Sequence, residues 1–232
     1  MVSLLCSPVI DLQRFESLGE NCEFGFLLRH HQVASGGFFR WAFTPLHSLI
    51  RILAADFEGV YVLDQLRPRF GAMVQDSRYD ILLHSQLHSE QEPDGSWRFS
   101  ASAAEREQIY AHERAKVNYL VAKFRRRLAE EQLILVLMAF APPPAEQLRT
   151  LVTQLRPALR QRGSSLLLVT PAAADQRPGK VRVRGPHLMH AYWLVFNPMR
   201  YAVTRVVLAV LCRCGFSSFH GWLDQPRRVG QV

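Results

Sequence analysis

The stretch Ser17-Leu18-Gly19-Glu20-Asn21-Cys22 sets a glycine turn just ahead of a cysteine, and Cys22 opens a helical pattern carried by Phe24, Phe26, Leu27 and Leu28. The first N–H groups of a helix have no partner inside it, and the aligned peptide dipoles put partial positive charge there. Both effects favour a thiolate. A cysteine in this place is expected to have a lowered pKa and to act as a nucleophile near neutral pH. The same N–H groups suit the oxyanion that forms when sulfur attacks a carbonyl, and Asn21 offers a side-chain donor beside them. The structural alternative is a small cysteine packed at a strand-to-helix junction.

Thiol chemistry of this kind needs a base. Among nine histidines, His84 and His88 stand out because they follow the apolar stretch 79–83, where a strand end would present them. Residues four apart on a strand share a face, so the two are alternatives for one role. They also resemble a pair of metal ligands, but no third histidine or carboxylate stands at a telling distance, and no cofactor or metal is expected. His30 and His31 lie about two helical turns from Cys22, too far for direct proton transfer. Asp76 and Asp80 are candidate orienting groups. Cys212-Arg213-Cys214 looks like half a zinc site without its second pair. With Cys6 these read as bland thiols, since without an export signal a disulfide framework is not expected.

The elements that must position Cys22 and His84 read as follows. Residues 14–19 form a short strand, and residues 22–33 a helix broken by Gly36-Gly37. Thr44-Pro45 starts a second helix, with Thr44 as cap and Leu46, Leu49, Ile50 and Leu53 as its buried stripe. Residues 60–63, 70–74 and 79–83 are candidate strands, and 90–95 a loop. Ser102-Ala103-Ala104-Glu105 has capping-box spacing. It opens a helix reaching about Glu131, with Ile109, Val117, Leu120, Phe124 and Leu128 on one side. Residues 133–140 are a nearly continuous apolar run, as in a strand buried on both faces. The helix 145–162 and the strand 165–170 then complete a parallel crossover, expected to be right-handed. Residues 181–183 add an edge strand, and 201–214 one more apolar helix. The expected fold is therefore α/β: a single domain with a partly parallel mixed sheet flanked by helices. Residues 1–175 form its body and 176–232 a basic extension packed on it.

The chain of 232 residues is 48% hydrophobic and 21% charged, ordinary for one globular domain. No uncharged run reaches membrane-spanning length, and residues 1–10 lack the basic start of a signal peptide. The expected location is cytoplasmic, with a peripheral inner-membrane position as the variant. The net charge of +8 is uneven: residues 176–232 hold nine Lys/Arg and only Asp224 as an acid. Such a region suits an acidic partner, a sugar phosphate, an acidic glycan or anionic lipid. No nucleic-acid-binding motif accompanies it, so nucleic acid is not the expected partner. No P-loop or dinucleotide glycine fingerprint supports phosphate or glycosyl transfer.

The Ser17-Leu18-Gly19-x-Asn21-Cys22 wording resembles the opening motif of an uncharacterised bacterial family of papain-like cysteine peptidases. The order of later segments is similar over about the first 170 residues: the cysteine helix, Phe39-Arg40-Trp41, the helix from Thr44, and 79–84 ending on His84. The wording Asn21-Cys22-Glu23-Phe24-Gly25 resembles a subgroup associated with bacterial surface-glycan loci. The resemblance implies a cysteine-dependent hydrolase or acyl-transferase, with Cys22 and His84 as catalytic pair, Trp41 and Arg40 at the substrate, and a peptide, acyl or glycan-related substrate. Arg40 stands where that family has an aspartate, and Ser85 follows His84 where an aspartate is frequent. Glu16 occupies the place of papain's oxyanion glutamine, and a carboxylate is a poor donor there. The alternative is a non-catalytic binding module for a glycan, sugar phosphate or acidic partner.

Overall fold

A strand that is apolar at every position has to be covered on both faces. That requirement organises this molecule, for which a computed structural model describes residues 11–172 and 181–193. Cys6, Cys212, Cys214 and the expected 201–214 helix lie outside the described residues. In chain order the elements are β1 (Phe15–Glu20), α1 (Glu23–His30), β2 (Ala42–Phe43), α2 (Leu46–Ala54), β3 (Leu66–Pro68), β4 (Gly71–Asp76), β5 (Ile81–Gln91), β6 (Trp97–Phe99), α3 (Ala103–Glu130), β7 (Ile134–Met138), α4 (Ala145–Gln154), β8 (Ser165–Pro171), β9 (Val181–Gly185) and β10 (Leu188–Trp193).

The larger sheet has strand order β1-β7-β8-β10-β9. The first four strands run parallel and β9 closes the edge antiparallel. This is the partly parallel mixed sheet expected from the sequence, and β7-α4-β8 is its parallel crossover. Alternation along β7 serves two cores. Leu135 and Leu137 pack with Leu166 and Leu168 beneath Leu49 and Ile52 of α2, Leu151 of α4 and Phe124 of α3. Ile134, Val136 and Met138 face the other way, joining Leu167, Val169 and the α1 residues Phe24, Leu27 and Leu28.

A second, wholly antiparallel sheet of order β2-β5-β4-β3, with β6 on β5, was not foreseen. Its long strand β5 runs past both candidate histidines. Leu83, Ser85, Leu87 and Ser89 point inward, while His84, Gln86, His88 and Glu90 are exposed. Two serines on the buried side hide the period-2 pattern from a hydropathy reading, which is why the strand was expected to stop at Leu83. Residues 60–63 are not a strand. Tyr61 has φ +58°, and its N–H is held by the buried Asp76 carboxylate at 2.7 Å. Asp76 also accepts from Arg78 N and sits at the turn into β5, so it builds the turn rather than orienting His84. Tyr79, expected to open the strand, lies in that turn.

Helix starts divide likewise. Ser102 and Glu105 form the full capping box at α3. At α2, Thr44 does not cap: its Oγ1 is buried without a partner, and the Glu20 carboxylate takes Leu46 N instead, at 3.3 Å. The long helix after the prolines is shorter than expected. It ends at Gln154 and is followed by a wide turn over Pro157–Gln161, where proline has no N–H to continue the ladder. Strand β10 was not expected, because Pro186, His187 and His190 break up its hydropathy.

Gly19 sits at φ +96°, and a Cβ there would lie 3.0 Å from Thr44 Cβ. Gly71, at φ +58°, faces open space. Gly19→Ala is expected to lower unfolding free energy by about 1–3 kcal/mol and Gly71→Ala by no more than about 1 kcal/mol, read from denaturant midpoints. Glu16 and Arg127 form a buried ion pair, and burial raises the Glu16 carboxyl from 4.5 to about 6 against the pull of Arg127 and Lys123. Between those values the folded chain holds a proton that the unfolded chain has released. Glu16 therefore makes stability fall as pH rises from 4.5 to about 6, with no further contribution above. Urea unfolding of wild type against Glu16→Gln across pH 4–8 should show that falling limb only in the wild type.

Candidate active site

The β1–α1 junction is built from polar contacts. Glu20 Oε2 accepts from Phe140 N at 3.0 Å, and Glu20 O from Thr44 N at 3.0 Å. Next along, Asn21 Oδ1 accepts from Glu23 N at 3.0 Å and its Nδ2 donates to Met138 O at 3.4 Å. Asn21 thus caps the first turn of α1 and ties it to the end of β7. Cys22 follows as the N-cap residue of α1, half-buried, at the carboxyl ends of the parallel strands. Open α/β sheets characteristically bind ligands at that edge.

The thiol differs from expectation in one respect. Burial pushes the Cys22 pKa up rather than down. The helix terminus is present, but α1 is only eight residues long and Asn21 already satisfies one of its free N–H groups. Desolvation of the thiolate therefore outweighs the dipole. Among the described residues no hydrogen bond joins Cys22 Sγ to a histidine.

His84 lies on β5 of the second, antiparallel sheet. Ala42 pairs with Leu83, so the next antiparallel step sets Trp41 beside His84. Both line a cleft of about 120 Å³ with Tyr61, Glu113, Phe38 and Val117. Trp41 reaches back to the cysteine helix: its ring meets Phe26 edge to face at 5.1 Å, and the Arg29 guanidinium lies 5.2 Å from it. Phe38 and Phe39 pack not with Trp41 but with Phe57 and Phe124. His88, four residues further along β5 on the same face, is exposed and outside the cleft.

Arg40 takes a structural place. It is 4% exposed, and its guanidinium donates to the carbonyls of Val33, Ser35 and Gly25. It holds the loop after α1 and leaves the cleft to Trp41. Glu16 is likewise spent on Arg127, on the far side of Gly37, and offers no oxyanion donor.

The residue missed from sequence is Glu113 of α3. It is 4% exposed. Its Oε2 accepts from both Tyr61 Oη and Ser85 Oγ, and its Oε1 from Gln86 N at 3.1 Å. Tyr61 Oη also lies 2.9 Å from Ser85 Oγ. Burial, then the bond to Glu113, pushes the Tyr61 hydroxyl far above its ordinary pKa. The signal was present: Glu113 stands at i+4 from Ile109 and i−4 from Val117, a carboxylate on the apolar stripe of its helix. It grips the two residues after His84 and so fixes β5 at that point. Among the described residues no cluster of three or more His, Cys, Asp or Glu is placed to hold a metal. No helix among them is long and apolar enough to cross a membrane.

Because burial raises the thiol, alkylation of Cys22 by iodoacetamide should still accelerate above pH 9 in the free protein, followed by mass mapping of the modified peptide. A rate that levels off below pH 8 would instead mean that a nearby cation stabilises the thiolate. Comparison of the chain with family models, with curated proteins and with solved structures finds no match.

Proposed function

We propose that the chain is a cysteine-dependent hydrolase or acyl-transferase of papain-like type, acting on a peptide, acyl or glycan-related substrate. Cys22 is the nucleophile and His84 the base. The observation that carries this reading is a line of neighbours. Cys22 and Phe26 are one helical turn apart on α1, Phe26 meets Trp41, and Trp41 shares its cleft with His84. His84 is preferred to His88 because it lines that cleft and Glu113 holds the strand beside it. Glu113 also supplies a carboxylate close to Ser85, where the resembled family carries its own.

A raised thiol pKa means that Cys22 rests protonated and is deprotonated as it attacks. His84 takes the thiol proton while Sγ bonds to the acyl carbon and the carbonyl π pair moves onto oxygen. Collapse of that oxyanion breaks the bond to the leaving amine or alkoxide, which takes the proton back from His84. Water, or an acceptor hydroxyl or amine, then attacks the thioester with His84 again as base, releasing the acyl product and the thiol. N–H groups of the first turn of α1 are the oxyanion donors, joined by Asn21 Nδ2 when its long bond to Met138 O gives way.

The test is labelling of the full chain with a peptidyl acyloxymethyl ketone, mapped by mass spectrometry. Cys22 should react ahead of Cys6, Cys212 and Cys214. His84→Ala should slow that reaction by about 100-fold or more, while His88→Ala changes it by no more than about threefold. Equal labelling of all four cysteines, or none at Cys22, overturns the reading. So does a His84→Ala protein, folded by circular dichroism, that labels at the wild-type rate.

A further inference from the structure

At the amino ends of the parallel strands the molecule carries a second cleft, of about 550 Å³, between the end of α4, the 157–161 turn and the β9–β10 hairpin. Arg156, Arg160, Arg184 and His187 line it, with Val152, Leu159 and Leu188 as an apolar floor. No lining residue is acidic, and among the described residues none of these arginines has a carboxylate partner.

That arrangement works against the fold unless something occupies it. Arg156 and Arg160 are four residues apart along a helical segment, the spacing at which like charges repel. Arg184 joins them from another element, so three exposed cations converge on one concave surface. Arginines without a carboxylate partner also occur elsewhere among the described residues, Arg67 and Arg149 for example; what sets this group apart is that three of them line one concave surface. Two side chains are also held in place. Arg184 donates to Tyr192 Oη at 3.3 Å. His187 Nδ1 lies 3.2 Å from Ser164 O, an acceptor only, so Nδ1 carries the proton and Nε2 is left as the second site of the ring.

We propose that this cleft binds a small phosphorylated molecule. The arginines, with their planar forked donors, take the phosphate. The floor of Val152, Leu159 and Leu188 takes an apolar part of the same ligand, and the volume lies within the range of small-molecule sites. The site stands apart from Cys22 and does not depend on its being a nucleophile.

The experiment is titration calorimetry of the full chain with inorganic phosphate, inorganic pyrophosphate and phenyl phosphate at low salt. Pyrophosphate should bind tighter than phosphate, phenyl phosphate should bind several-fold tighter than phosphate, and raising the salt should weaken all three. Arg156→Gln with Arg160→Gln, and separately Arg184→Gln, should each weaken pyrophosphate at least about tenfold, one lost charge-assisted contact. Arg67→Gln, a charge change away from the cleft, should leave it unaltered. Thermal unfolding of each variant without ligand shows that it folds, and the double variant should be no less stable, since a repulsion has been removed. Equal binding by wild type and both cleft variants, or no heat with pyrophosphate at millimolar concentration, overturns the proposal. Phenyl phosphate that binds no tighter than phosphate overturns the apolar part.

Discussion

Glu20 is the contact on which the placement of Cys22 depends. Its carboxylate receives N–H groups from the start of α2 and from the chain just past β7, while its own carbonyl receives Thr44 N. Three segments separated by up to 120 residues meet on one side chain. Bonds from backbone N–H to an ionised carboxylate are stronger than neutral ones, and here they converge where the chain turns from strand into helix. Gly19 makes the approach possible by presenting no Cβ to Thr44. Asn21 extends the junction to Met138 and to the first turn of α1. The thiol is therefore carried on a rigid base while, among the described residues, its own side chain has no hydrogen bond to hold it, which suits the substrate-seeking role proposed for it.

How far this was legible depends on the kind of signal. The buried strands β7 and β8, the α3 capping box and the edge strand β9 were readable because their physics is local: unbroken hydropathy, a four-residue polar spacing, a short run beside glycine and proline. The β1–α1 junction was readable as a place but not as a mechanism. Nothing near Glu20 in sequence announces that it caps α2, because its partners lie 26 and 120 residues away. The second sheet was lost for a different reason. β5 buries Ser85 and Ser89 where a strand normally buries hydrocarbon, and Ser85 is made tolerable by Glu113 from a helix whose apolar side was read without that carboxylate. Buried polar groups satisfied at long range are the features that a local pattern cannot show.

The same trade appears in the titratable groups. A cysteine at a helix start was expected to be acidified, and a carboxylate beside an arginine is ordinarily held ionised. In both cases burial is the larger effect: the Cys22 thiol goes up, and Glu16 rises to about 6 despite Arg127 and Lys123. Sequence spacing gives the neighbours of a group but not its depth, and removing a charge from water outweighs a partial dipole or a single countercharge. For the nucleophile proposed at Cys22 this bears on which of two ways of running thiol chemistry would apply. A preformed thiolate–imidazolium pair needs a cation against the sulfur, whereas a resting thiol needs a base that engages during attack. For the proposed reaction, burial of the thiol and the lack of a hydrogen bond to its sulfur among the described residues favour the second, which would require Trp41, between α1 and His84, to let substrate bring the two groups together.

The geometry of the parallel sheet separates that chemistry from the arginine-lined cleft. Cys22 lies two residues past the carboxyl end of β1, whereas Leu188 and the hairpin before it sit level with Leu166, near the amino end of β8. Matched through the registers of β1, β7, β8 and β10, the two places are about 16 Å apart along the strands and about 14 Å across them. On the order of 20 Å is too far for one small ligand to touch both. The arginines therefore cannot serve the oxyanion proposed at Cys22. An anion held among them would act through the β10–β8–β7 core instead, or would anchor the remote portion of a longer substrate whose reacting group lies at the opposite edge of the sheet.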